Sequence, residues 1–78
     1  MRKVYVEVVA RFDTVGKITP LWVVWEDGNK YEIEKVLDKR QAVSLKAGGQ
    51  GIRYTILTSG RQTYLYYENP AWFVEGKE

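Results

Sequence analysis

Seventy-eight residues, a net charge of +2 and a complete lack of cysteine and histidine bound what this chain can do. A domain this small has a marginal core, yet disulfides, thiolate zinc sites and histidine-assisted nucleophiles are all closed to it. Three Trp, six Tyr and two Phe have to supply the packing instead, and so small a net charge argues for no polyanionic partner by itself.

In chain order, "VYVEVVARF" alternates Val4, Val6, Val8, Ala10 and Phe12 with Tyr5, Glu7, Val9 and Arg11, the period of a half-buried strand. "DTVG" at 13–16 reads as a turn, and "KITPLWVVWE" as a second strand, apolar on both faces from Leu21 to Trp25. Pro20 cannot donate to a ladder, so a strand start, an edge position or a bulge is expected there. "EDGN" at 26–29 predicts a hairpin with Asp27-Gly28 as its two loop residues. That register places Val24 opposite Tyr31 and Trp22 opposite Ile33 on the core face, with Glu32 and Glu34 pointing outward beside Val23 and Trp25.

"YEIEKVLDKR" is the third strand, and its alternation slips at Val36-Leu37, which signals a bulge or the strand's end. Residues 39–50 read either as a helical turn closed by Gly48, with Ala42 or Val43 and Leu45 tucked inward, or as a loop with two apolar anchors. "GIRYTILTSGRQTYLYYE" is a second hairpin about Ser59-Gly60, facing Ile52, Tyr54 and Ile56 with Tyr67, Leu65 and Thr63. Its other face carries Arg53, Thr55 and Leu57 with Tyr66, Tyr64 and Gln62. A turn at Asn69-Pro70 leads into a last short strand holding Trp72 and Val74. The whole is one domain over 1–78: an all-β, small antiparallel barrel of five to six strands, SH3-like in topology. The expected core is Trp22, Val24, Tyr31, Ile33, Ile52, Tyr54, Ile56, Leu65 and Trp72.

Chemistry is sparse. "AGGQGIRYTI" places Gly48, Gly49 and Gly51 ahead of a strand, whereas a phosphate cradle needs a helix N-terminus there, so these glycines read as a hinge. Glu26, Asp27, Glu32 and Glu34 form a carboxylate group suited to a hard cation or to acid–base work, but strand carboxylates interleaved with Lys30 and Lys35 read better as solubilising charges. No catalytic residue, metal or cofactor is assigned, and the chain reads as non-enzymatic.

Binding has a better basis. Residues 35–61 hold six basic side chains against Asp38 alone. Arg53 among Tyr64 and Tyr66 on a sheet face is the combination that stacks bases and neutralises phosphate in single-stranded nucleic-acid binders. Lys39, Arg40 and Lys46 in the preceding segment and Arg61 in the turn extend that track. The competing reading is protein–protein docking through Val23 and Trp25 or a free strand edge.

The spacing of Pro20, Trp25, Gly28, Tyr31, Ile33, Val36 and Leu37, followed by Gly60, Thr63, Tyr64, Leu65, Tyr66 and Trp72, resembles a small all-β bacterial domain of unknown function. That domain occurs alone and appended to relatives of Y-family translesion DNA polymerases. The resemblance spans residues 18–74 and implies a compact β domain with an association to DNA repair; it implies no catalytic site. The longest apolar runs are five residues, as at Leu21–Trp25, against roughly 20 for a membrane span. Glu7 and Arg11 interrupt what a secretory leader would keep apolar, so a cytoplasmic monomer or weak homo-oligomer is expected.

Overall fold

The computed structural model describes residues 2–43 and 50–76. Six strands run in chain order: β1 (Arg2–Phe12), β2 (Ile18–Val24), β3 (Lys30–Val43), β4 (Gln50–Thr58), β5 (Arg61–Glu68) and β6 (Ala71–Gly76). Each pairs antiparallel with the next, and β6 returns to β1, so the sheet closes into a barrel consistent with the SH3-like expectation. Closure rests on β1, which pairs with β6 over Arg2–Val6 and with β2 over Glu7–Phe12, bringing Arg2 opposite Gly76. Among the described residues no helix is long and apolar enough to cross a membrane.

The interior is Val23, Ile33, Tyr54, Ile56, Leu65 and Trp72, with Val6, Val8, Ala10, Ile18, Val36, Ile52, Tyr67 and Val74 packed around them. Tyr54 packs on Trp72 with ring centroids 5.5 Å apart. Its hydroxyl donates across the barrel to the Ile18 carbonyl at 2.9 Å. Burial raises the Tyr54 phenol above its ordinary pKa, and the nearby Tyr67 adds to the shift.

Two expected core residues are misplaced by the β2–β3 turn. Trp25 N–H donates to the Asn29 carbonyl and Gly28 N–H donates to the Trp25 carbonyl, which makes a three-residue loop with Gly28 at φ 85°. The extra loop residue slips the pairing by one, so Trp22 lies opposite Glu32 and Val23 opposite Tyr31. A one-residue slip exchanges the faces of a strand. Val23 is therefore buried, Trp22 is exposed, and Val24 is half-buried opposite Lys30. Tyr31 keeps its predicted face but sits exposed at the barrel rim. "DTVGK" closes β1–β2 in the same way, with Gly16 at φ 84°. There Asp13 Oδ1 accepts the amides of Lys17 and Val15 at 2.8 and 3.0 Å, and these bonds, that of Lys17 first, hold its carboxyl below the usual range. Phe12 is exposed beside this turn.

Pro20 marks a bulge, since the β1–β2 register shifts between Val9 and Ala10 and leaves Leu21 as the extra residue. Strand β3 carries two more irregularities, around Glu34 and around Leu37. It does not end there. The helical turn considered for 39–50 is overturned over Lys39–Val43, which continue β3 opposite β4; Leu45 and Gly48 lie outside the described residues. With Tyr54 and Ile52 opposite Lys39 and Gln41, the segment gains more from the ladder than from a short isolated turn.

The β4–β5 hairpin forms as predicted. Thr58 pairs with Arg61 across Ser59 (φ 50°) and Gly60 (φ 71°), and Ile52, Tyr54 and Ile56 face Tyr67, Leu65 and Thr63. Gly51 is no simple hinge: a Cβ there would collide with the Tyr67 carbonyl, so only glycine lets these backbones approach. The turn at Asn69-Pro70 is built on a cis peptide bond.

Candidate functional site

Antiparallel registry lines up one row of outward side chains across five strands. Arg40 lies opposite Arg53, Arg53 opposite Tyr66, Tyr66 opposite Phe73, and Phe73 opposite Tyr5. The neighbouring row is Asp38, Thr55 and Tyr64, and beyond it Lys35 lies opposite Leu57 and Leu57 opposite Gln62.

The aromatic end of the first row is a second, outer cluster. Tyr66 stacks on Phe73 with centroids 4.9 Å apart and planes only 4° off parallel, and Tyr5 meets Phe73 edge-on at 6.0 Å. Lys3 Nζ sits 4.9 Å from the centre of the Phe73 ring and bridges to Glu68 at 3.1 Å. Tyr66 is consequently 6% exposed, and its hydroxyl donates to Glu75 Oε1 at 2.9 Å. Burial first, then the Glu75 carboxylate, raises its phenol above the ordinary value. The expectation of Tyr66 as an exposed stacking ring is thus corrected, because the terminal strand covers it.

The basic end stays open. Tyr64 is 44% exposed, and the Arg53 guanidinium carbon lies 4.5 Å from its ring centre. Arg53 is half-buried, and its Nε is buried without a hydrogen-bond partner among the described residues. Arg40 is exposed; its Nε donates to Asp38 Oδ2 at 2.7 Å, and that guanidinium keeps the Asp38 carboxyl below its ordinary pKa.

The remaining basic residues of the predicted track do not join this group. Lys39 alternates to the inner side, opposite Tyr54, with Nζ 5.5 Å from that ring. Arg61 is at the far end of the barrel, on the rim of a mouth of about 330 Å³ with Trp25 and Tyr31. Lys46 lies outside the described residues.

Compared with known proteins, the chain matches no family model, no curated protein and no solved structure. The site is therefore read from its own geometry.

The carboxylates singled out in the sequence disperse. Asp27 accepts the Asn29 backbone amide at 2.9 Å and its side-chain amide at 3.0 Å, Glu34 accepts the Gly60 amide at 3.2 Å, and Glu32 faces outward beside Trp22. Among the described residues no group of three or more carboxylates is placed to hold a metal ion. The pairing of Arg40 with Arg53 is not legible in the sequence, where Arg40 falls in both the third strand and the ambiguous segment 39–50. The irregularity at Glu34 turns Lys35 onto the outer face, opposite Leu57.

Proposed function

We propose that the outer face of β3, β4 and β5 binds single-stranded nucleic acid, and that the protein is a non-enzymatic, cytoplasmic accessory module. The observation that carries this reading is the direct opposition of Arg40 and Arg53 beside the exposed Tyr64 ring. Like charges facing one another across a ladder destabilise it. Asp38, the carboxylate bonded to Arg40, offsets only part of that repulsion, and Arg53 keeps an unsatisfied Nε. A phosphate set between the two guanidiniums would relieve the repulsion and supply charge-assisted hydrogen bonds to both. A neighbouring base would stack on the free side of Tyr64, while Lys35 extends the positive stripe toward the 59–60 turn. The likeness of the aromatic and glycine spacing to a domain appended to translesion polymerase relatives points the same way.

The test is fluorescence anisotropy with a labelled single-stranded oligonucleotide of about ten nucleotides, read at several salt concentrations. Tyr64→Ala is expected to weaken binding at least fivefold, since a stacked base is worth about 1–3 kcal/mol. Arg53→Gln should weaken it too and flatten the salt dependence by about 0.7 in the log–log slope, one single-strand phosphate contact. Lys30→Ala, on another part of the surface, should bind like the parent. Unchanged affinity in both the Tyr64 and the Arg53 variants overturns the assignment.

A further inference from the structure

Strands β2 and β3 are joined over a short span. Their register runs only through Trp22–Val24 and Lys30–Glu32. Beyond it, the irregularities around Glu34 and Leu37 carry β3 away along β4, to which it stays paired as far as Val43 opposite Gln50. From Val36 to Gln41 the side of β3 turned from β4 has no strand partner among the described residues. Between this edge and β2 lies a cleft of about 340 Å³, floored by Ile18, Val36, Leu37 and Tyr54 and flanked by Lys17, Lys39 and Asp38. The β2 wall is a poor template, because Pro20 has no amide proton and the Ile18 carbonyl already accepts the Tyr54 hydroxyl. Strand β3 is the better one.

We infer that the Val36–Gln41 edge of β3 is a docking site for an extended peptide segment of alternating acidic and apolar residues, bound by strand addition. An unpaired edge presents a row of amides and carbonyls at strand spacing, and only an extended chain satisfies that row. Alternation along the added strand sends every second side chain to each face. One set enters the cleft against Ile18, Val36 and the 45%-exposed Leu37. The other set lies beside the outward-facing side of β3, where Lys35 and Arg40 outnumber Asp38. Lys17 and Lys39 outnumber Asp38 around the cleft, and Asp38 is already paired with Arg40, so the surroundings select acidic strands and disfavour basic ones. The same lysines guard the edge against indiscriminate pairing with other chains. This site shares Lys35 and Arg40 with the nucleic-acid face but neither Tyr64 nor Arg53, and it stands whether or not that face binds nucleic acid.

The experiment is an amide-resolved NMR titration with a six-residue acetylated and amidated peptide of alternating glutamate and valine. Shifts and slowed amide exchange are expected over Val36–Gln41. Methylating the peptide nitrogens of one alternate set should weaken binding at least tenfold, while methylating the other set leaves it nearly unchanged, because only one set faces β3. A lysine–valine peptide should not bind, and Lys39→Glu, at an exposed position, should weaken the acidic peptide at least fivefold. Equal binding of the two methylated peptides overturns strand addition. So does absence of binding, and so do shifts confined to Arg53 and Tyr64, which would mean that glutamates merely settle on the basic outer face.

Discussion

Tyr54 and Tyr66 are close in sequence and serve opposite sides of one sheet: Tyr54 holds Ile18 across the interior, Tyr66 holds Glu75 outside. Both phenols are raised above their ordinary pKa, chiefly by burial. A raised phenol keeps its proton in the folded state at a pH where the unfolded chain has lost it. The contribution is therefore complete below about pH 10 and disappears as pH climbs through the higher folded value. Urea midpoints measured from pH 8 to 11.5 should fall above pH 10, and more shallowly in Tyr54→Phe and in Tyr66→Phe than in the parent. At neutral pH each variant should lose about 1 kcal/mol, the usual worth of one hydrogen bond. An alkaline slope identical in all three proteins would contradict this account. The inward face of Tyr54 was legible from alternation alone. The burial of Tyr66 was not, since it depends on Phe73, which only the register of the next strand sets opposite it.

At the level of elements, the β4–β5 and β2–β3 hairpins differ in how far local sequence decides them. "TSGR" closes β4–β5 with two residues at positive φ, and the predicted register follows with every partner correct. "EDGN" contains the stronger two-residue signal, yet the chain takes three loop residues and spends Gly28 as the left-handed third one. Part of the reason lies outside the hairpin. This register buries Val23 in the barrel and leaves the larger indole of Trp22 outside, and Asp27 accepts the Asn29 amide within the longer loop. Tertiary packing thus selected between two permitted turns, and the candidate site inherits a similar limit. Arg53 and Tyr66 pair legibly within one hairpin, but Arg40 meets Arg53 only because β3 survives two irregularities. Ser59 remains a local imperfection: a non-glycine residue at φ 50° in a turn that favours asparagine or glycine. Ser59→Asn should raise stability by about 0.5–1 kcal/mol, measured as a higher urea midpoint with unchanged m-value. A lower midpoint would mean that the serine makes a contact worth more than its backbone strain.

For the molecule as a whole, closure concentrates the energetics on β6. Trp72 faces the interior against Tyr54 and Tyr67, and the adjacent Phe73 caps the outer cluster. Both are buried, at 7% and 2% exposure. Removing a large buried aromatic typically costs about 3–5 kcal/mol, and a domain of this size has little more than that in hand. Trp72→Ala is expected to be largely unfolded at 25 °C by circular dichroism, without the dispersed amide spectrum of the parent. A folded variant would show that the two ladders of β6 suffice without its indole. Alternation and turn signals made the all-β class legible, and the absence of cysteine and histidine left aromatic packing to hold the core. Sequence could not reveal that one short strand would anchor two clusters on opposite faces, because Trp72 meets Tyr54 across the interior and Phe73 meets Tyr5 through the long-range pairing of β6 with β1.

That long-range pairing also decides how the barrel attaches to anything else. With Arg2 opposite Gly76, the described chain enters and leaves through neighbouring positions of a single ladder, about 5 Å apart. A host protein carrying this unit within a surface loop would have its own loop ends held no farther apart than two adjacent strands. The barrel would hang there as a pendant and leave the host's framework undisturbed.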